Sequence, residues 1–161
     1  MARIIPNANT WVGFKSTLSG TPASPKVADI TGAVNLTPFV ISLNASAQGN
    51  TVPTPSFDSL FETSIIGTSQ ATFTGDFYRD NATDTAWTTL ERGTFGYIIV
   101  SRYGGSNATT HAPDTIGDIC EVWPISVTSR TMANMANNAV MTFTVTCAVN
   151  VVPAEDAEVV A

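Results

Sequence analysis

The chain has 161 residues, of which 43 % are apolar and only 12 % charged, with a net charge of −6 and a pI near 4.4. That apolar share excludes a disordered chain, and the length suits one domain with a real hydrophobic core. The seven basic residues (Arg3, Lys15, Lys26, Arg79, Arg92, Arg102 and Arg130) stand singly, without the clustered phosphate contacts that a nucleic-acid binder needs.

Charged residues are roughly half as frequent as in ordinary soluble domains, so surface polarity must come from hydroxyls and amides. Threonine occurs 24 times and lysine twice, a composition that favours pleated structure over helix. The amino terminus, Met-Ala-Arg-Ile-Ile-Pro-Asn, lacks the apolar stretch of a secretion signal, and no apolar run approaches the ~20 residues of a membrane span. The expectation is therefore a single β-rich domain over residues 1–161 with no membrane insertion.

Residues 1–26 read as an N-terminal arm anchored by Trp11, Gly13 and Phe14 and followed by a turn-rich stretch. Val27 to Val34 and Thr37 to Leu43 read as short strands, with Pro38 placing the second at an edge or a strand start. Residues 44–56 hold Gly, Asn and two prolines but no charge, which fits equally a long loop ordered against a partner and a flexible polar loop. Phe57 to Gly67 fits a helical turn or a broken strand.

Ser69 to Arg79 sets Ala71, Phe73, Gly75 and Phe77 against Gln70, Thr72, Thr74, Asp76 and Tyr78, the period-two pattern of a two-faced strand, with Gly75 a candidate bulge. One helix is predicted over 84–92, capped by Asp84 and ended by Gly93. Phe95 to Arg102 is apolar on both parities, so it should be covered on both faces. Residues 104–118 read as a second loop.

Ile119 to Thr131 places Glu121, Trp123, Ile125 and Val127 on one parity, interrupted by Pro124, which implies a bulge or an edge. From Thr131 to Ala154 there is no charge at all. Within that stretch Met141, Phe143, Val145, Cys147 and Val149 alternate with Thr142, Thr144, Thr146 and Ala148. Read as one strand from Ala139 to Val152, it would make a poor free edge, because nothing on it repels another chain; either the protein hides it within its own fold or other copies cover it, and the second is the expectation. Residues 154–161 form an acidic tail.

No catalytic constellation accompanies these elements, so the chain is not expected to be an enzyme. His111 is the sole histidine and has no ligand set around it. Asp76, Asp80 and Asp84 straddle a strand end, a turn and a helix start, where capping and turn roles explain them. Cys120 and Cys147 read as reduced core residues. Neither a metal nor a cofactor is expected. Phe73, Phe77 and Phe143 fall on core parities, leaving Trp11, Tyr78 and Tyr103 as exposed or interface aromatics.

Three blocks carry a family resemblance. The first is Pro55-Ser-Phe-Asp-Ser-Leu-Phe-Glu-Thr-Ser running into Ala71-Thr-Phe-Thr-Gly-Asp-Phe-Tyr-Arg-Asp. The second is Asp84-Thr-Ala-Trp-Thr-Thr-Leu through Gly93-Thr-Phe-Gly-Tyr-Ile-Ile-Val-Ser-Arg. The third begins Gly117-Asp-Ile-Cys-Glu-Val-Trp-Pro-Ile and runs to Cys147. In this order, over about residues 55–154, the chain resembles the major tail (tail tube) proteins of bacteriophages with long, non-contractile tails. The resemblance implies a mainly β, sandwich or barrel-like subunit with one short flanking helix, an extended loop and terminal arms. It implies homohexameric rings stacked into a tube, a tape measure protein in the lumen, tail terminator and tail-tip proteins at the ends, and DNA passing through without specific binding. Its location would be the virion tail, reached from the host cytoplasm where assembly occurs.

Within that frame Gln48, Gly49, Asn50, Thr51 and Val52 are the candidate ring-to-ring segment. Thr72, Thr74, Asp76, Thr142, Thr144 and Thr146 are the candidate wall of the lumen or inter-subunit strand face. A virion decoration or adhesin-type β-sandwich binding module has the same composition and is the alternative.

Overall fold

The computed structural model describes residues 9–54, 63–133 and 137–161. Eight strands form one antiparallel sheet: β1 (Trp11–Lys15), β2 (Val34–Asn35), β3 (Val40–Thr54), β4 (Thr63–Tyr78), β5 (Phe95–Ser101), β6 (Ile119–Met132), β7 (Thr142–Val149) and β8 (Ala154–Glu158). Their order is β2-β1-β5-β6-β7-β4-β3, with β8 also paired to β6. Two short helices, α1 (Val27–Thr31) and α2 (Thr85–Thr89), and a 3-10 turn at Thr37–Phe39 complete it.

Strand β6 belongs to two half-sheets. β5 lines one of its sides from Glu121 to Ser126. On the other side β8 pairs with residues 119–122, and β7 takes over from Ile125 to Met132. Pro124 sits in the gap between those two partners. Its carbonyl accepts the Asn150 amide at 3.4 Å, so its missing N–H falls on the β7 side, where the ladder changes hands. Register shifts flank it at Cys120/Val122 and at Val127/Ser129. The proline thus marks a change of neighbour in an interior strand.

One face of the curled sheet makes the main core: Val12, Phe14, Ile98, Val100, Trp123, Ile125, Val127, Phe143, Val145, Cys147, Phe73 and Phe77, closed by Leu36, Ala86 and Leu90. Phe77 stacks on Phe143 at 5.5 Å, and Trp87 of α2 meets the Phe143 ring edge-on at 5.1 Å. The sheet curls far enough that Val12 and Val100 line the same cleft as Val40 and Leu43 from its other end, giving a barrel-like body. A second cluster lies behind β5 and β6, where Trp11, Ile30, Ile99, Cys120, Val122, Ala157 and Val159 pack together. Ile98 and Ile99 serve opposite clusters, as the two-parity apolar run predicts.

Several sequence expectations need correcting. Residues 27–31 are helical: Asp29, on the helix's first turn, is 2 % exposed and accepts the amides of Ser19 (2.7 Å), Gly20 (3.1 Å) and Lys26 (3.0 Å) and the Ser19 hydroxyl (2.8 Å). This local satisfaction outweighs the strand preference of Val and Ile. Helix α2 ends at Thr89, short of Gly93, and Asp84 stands at its N-cap position without a side-chain capping bond. It has φ 43°, and its carboxylate pairs with Arg79 and accepts the Asp80 amide at 3.3 Å.

The strand predicted from Ala139 to Val152 is only Thr142–Val149, and it is interior, held by β4 and β6. The expected acidic tail supplies β8. Gly75 stays in register with Leu43 and Val145. Its role is close packing, since a Cβ there would come within 2.7 Å of the Phe77 ring and 2.9 Å of Leu43. Trp11, expected as an exposed or interface aromatic, is 3 % exposed and packs in the second cluster. The reading of residues 57–62 falls outside the described residues.

Burial opposes ionisation of Asp29, but three backbone amides and the Ser19 hydroxyl outweigh it and hold its carboxyl below the usual range. Asp29→Ala strands those donors and should cost about 2–3 kcal/mol, read as a lower urea midpoint with an unchanged slope.

Candidate functional site

Strands β3, β4, β7 and the second half of β6 present a continuous outer face. Cross-strand register sets it out in rows: Ser42, Asp76, Thr144 and Thr131; then Asn44, Thr74, Thr146 and Ser129; then Ser46, Thr72, Ala148. Side chains alternate between faces along a strand. These rows therefore point away from the core that Phe73, Phe77, Phe143 and Val145 fill. The structure brings Thr72, Thr74, Asp76, Thr142, Thr144 and Thr146 together on this one face.

Sequence reasoning missed the contributions of β3 and β6: Ser42, Asn44 and Ser46, with Ser129 and Thr131. The signal was present, because Ser42, Asn44, Ser46 and Gln48 alternate with Leu43, Ala45 and Ala47. Small residues and two prolines disguised that strand as a loop.

Asp76 is the only ionisable residue in these rows. Its Oδ2 accepts the Ser42 hydroxyl at 2.6 Å, and its Oδ1 accepts the Thr144 hydroxyl at 2.6 Å, so one carboxylate ties three strands together. Four residues further along β3, the Ser46 and Thr72 hydroxyls bond each other at 3.2 Å.

The pairing of β4 with β7 stops at Thr72 and Ala148, whereas β3 and β4 remain paired to Thr54 and Thr63. Ala47–Thr54 and Thr63–Ala71 thus form a two-stranded ribbon reaching about 26 Å beyond the sheet at ~3.3 Å per residue. Asn44 to Thr54, expected as a loop, is strand. Gln48, Gly49, Asn50, Thr51 and Val52 lie exposed along the ribbon. Val52 sits opposite Ile65, and both are exposed, 48 % and 59 %.

From Ile41 to Pro53 the outer side of β3 has no strand partner among the described residues, and it carries no charge. Across the same half-sheet, β5 stops at Ser126, so the far side of Ser129–Met132 has no strand beside it either. Among the described residues these two are the open strand sides of this half-sheet, in place of the interior β7, and Arg130 on the second turns its guanidinium to the Trp87 carbonyl.

Other candidates resolve into structural roles. Asp80 accepts the Ala82 amide at 2.9 Å in a turn. No group of three His, Cys, Asp or Glu side chains suited to a metal occurs among the described residues. Cys120 and Cys147 are free and buried, in different clusters, and burial pushes each thiol up to about 12. Tyr78 and Tyr103 are exposed. No helix among the described residues is long and apolar enough to cross a membrane.

The family model described as phage tail tube protein matches residues 1–161. Among solved structures, a chain of the virion of a native gene transfer agent particle aligns with a TM-score of 0.58 at 14 % identity, covering 94 % of this chain and 98 % of that one. A chain from the six-fold symmetrised baseplate of the anti-feeding prophage gives 0.56 at 9 % identity, covering 93 % and 94 %. A chain from the tail of an empty gene transfer agent particle, refined with C6 symmetry, gives 0.55 at 15 % identity, covering 91 % and 95 %. No curated protein matches the chain.

The hydroxyls of Ser42 first, then Thr144, hold the Asp76 carboxyl below its ordinary value of 3.8. A group depressed on folding adds stability above its unfolded pKa of about 3.9, and that stability is lost as pH falls through the lower folded value. Carboxyl-carbon NMR titration should place Asp76 below 3.8, and Ser42→Ala with Thr144→Val should return it towards that value. An unshifted Asp76 in the parent chain would contradict the clasp.

Proposed function

Because the chain belongs to the phage tail tube protein family, and is thus a structural protein of the virion tail, we propose that its copies join sheet edge to sheet edge into six-membered rings, which stack into the hollow tube that delivers DNA. The observation that carries this is the pair of open edges on one half-sheet. In the order β6-β7-β4-β3 every neighbour is antiparallel, so β3 of one copy set beside residues 129–132 of the next continues the same antiparallel ladder. The two edges differ, so the contact is head-to-tail, and a head-to-tail contact closes into a ring when the rotation allows.

Closure also removes the edge hazard, since both free rows of backbone N–H and C=O groups find partners. Six copies of a four-stranded half-sheet, at ~4.8 Å per strand, give a circumference of about 115 Å and a diameter of about 37 Å between backbones. After side chains are allowed for, that leaves room for a DNA duplex. The outer face of the half-sheet, with Thr72, Thr74, Asp76, Thr142, Thr144 and Thr146, becomes the wall. A wall of hydroxyls with one carboxylate per copy gives passing phosphates no cation to hold.

The ribbon bearing Gln48, Gly49, Asn50, Thr51 and Val52 projects too far to pack on its own body and supplies the contact to the next ring. A tape measure protein fills the lumen before ejection, and terminator and tip proteins cap the two ends. Assembly takes place in the host cytoplasm.

Negative-stain microscopy of the purified chain with its tail partners should show six-membered rings or tubes; lone particles alone would reject the reading. Deleting 48–52 together with the facing 65–70 shortens the hairpin yet keeps Ala47 opposite Ala71 and Pro53 opposite Ser64. That variant should fold and form single rings that do not stack. Normal long tubes from it would remove the ribbon from the ring-to-ring contact.

A further inference from the structure

We propose that Asp76 keeps the wall from adhering to nucleic acid chiefly as an internal hydrogen-bond acceptor, by turning hydroxyl protons into the wall, and only secondarily as a repelling charge. The inference rests on the conduit reading and names the chemistry the wall must avoid. Phosphodiester oxygens are acceptors only, so a hydroxyl surface adheres to them through its O–H donors. An ionised carboxylate donates nothing. The two 2.6 Å contacts at Asp76 therefore oblige Ser42 and Thr144 to be the donors, and what they turn outward is lone pairs.

Nearby contacts act in the same sense. Thr128 donates to the Thr146 carbonyl at 2.8 Å, and one proton of the Ser46–Thr72 pair is consumed at 3.2 Å. Each bond to the carboxylate is charge-assisted, and so outcompetes a bond to water or to a passing phosphate.

Magnitudes separate the two roles. Four strands at ~4.8 Å place Asp76 of adjacent copies about 19 Å apart around a ring, more than twice the ~8 Å Debye length at physiological salt. Single carboxylates at that spacing leave most of the circumference unguarded by charge. Donor orientation acts at contact, where salt does not screen it away.

Two sets of variants isolate the effect. Asp76→Val puts a strand-favouring β-branched residue at this position and frees both hydroxyl protons; Asp76→Val with Ser42→Ala and Thr144→Val has the same net charge and neither donor. The soluble chain is titrated with inorganic polyphosphate and with a short DNA duplex, and binding is read from the amide shifts of β3, β4 and β7. The measurement does not depend on tube formation, which microscopy scores separately, so failure of the conduit reading and failure of this inference are distinguishable.

Asp76→Val should bind polyphosphate at least about threefold more tightly than the parent chain, and the triple variant should fall back to the parent level. A triple variant as adhesive as Asp76→Val would assign the effect to charge and overturn the inference, as would an unchanged Asp76→Val. Should valine prevent folding, Asp76→Ala, which adds neither a donor nor an acceptor, carries the same comparison with and without the Ser42 and Thr144 changes.

Discussion

Everything in this molecule depends on period-two alternation in β3, β4, β7 and β6, because the same register that builds the core also builds the outer face. A slip of one residue would turn Phe73, Phe77, Phe143 and Val145 outward and bury Thr72, Thr74, Thr144 and Thr146. Several unlike contacts hold the register against that slip. Asp76 bonds a hydroxyl on each flanking strand, Phe77 stacks on Phe143, and Gly75 leaves just enough room for the Phe77 ring and Leu43. The polar contacts lie on one side of the strands and the aromatic contacts on the other, so each face checks the other.

The second constraint is that β6 must serve two half-sheets with one backbone. Trp123, Ile125 and Val127 feed the main core while Cys120 and Val122 feed the second cluster, which is why this strand is apolar on both parities only in its first half. Pro124 is tolerated because its absent donor falls where β8 ends and β7 begins. A proline along 125–132 at a position whose N–H enters the β7 ladder would instead cost that ladder a hydrogen bond. On its opposite side β6 outruns β5, whose pairing stops at Ser126, which leaves the edge that the proposed ring uses.

What could be read in advance follows from how loudly each segment alternates. Ser69 to Arg79 and Ile119 to Thr131 carry large aromatic or branched residues against polar ones, and both are strands, the second close to its expected limits and the first starting six residues earlier, at Thr63. Ser42 to Gln48 alternates as regularly, but with Ala and Leu against Ser, Asn and Gln; its weak contrast and the nearby prolines made a 15-residue strand look like a loop. The wall residues on β4 and β7 were legible for that reason, and those on β3 were not.

Val27 to Thr31 failed differently. Its β-branched residues suggest a strand, whereas a buried carboxylate contacting Ser19, Gly20 and Lys26 makes it a helix, and that contact is invisible to periodicity. The charge-free run at 139–152 is expected to be covered by other copies, yet only Thr142–Val149 is strand. Its partners are β4 and β6 of the same chain, so the unmet demand passes outward to β3.

An unguarded edge in a chain with so few charges would ordinarily invite uncontrolled aggregation. Two features channel it. The residues flanking the edge on its outer face are hydroxyls and amides, which stay hydrated and give little hydrophobic reason for sheets to stack face to face. In the proposed ring the free edge of β3 is set against a different edge, at 129–132, so each copy would offer one site of each kind and growth would run in one direction round a circle. Backbone pairing asks of side chains only that they keep their parity and avoid clashes. A fold specified at that level tolerates extensive replacement, which accounts physically for chains only 9 to 15 % identical sharing it over nearly their full length.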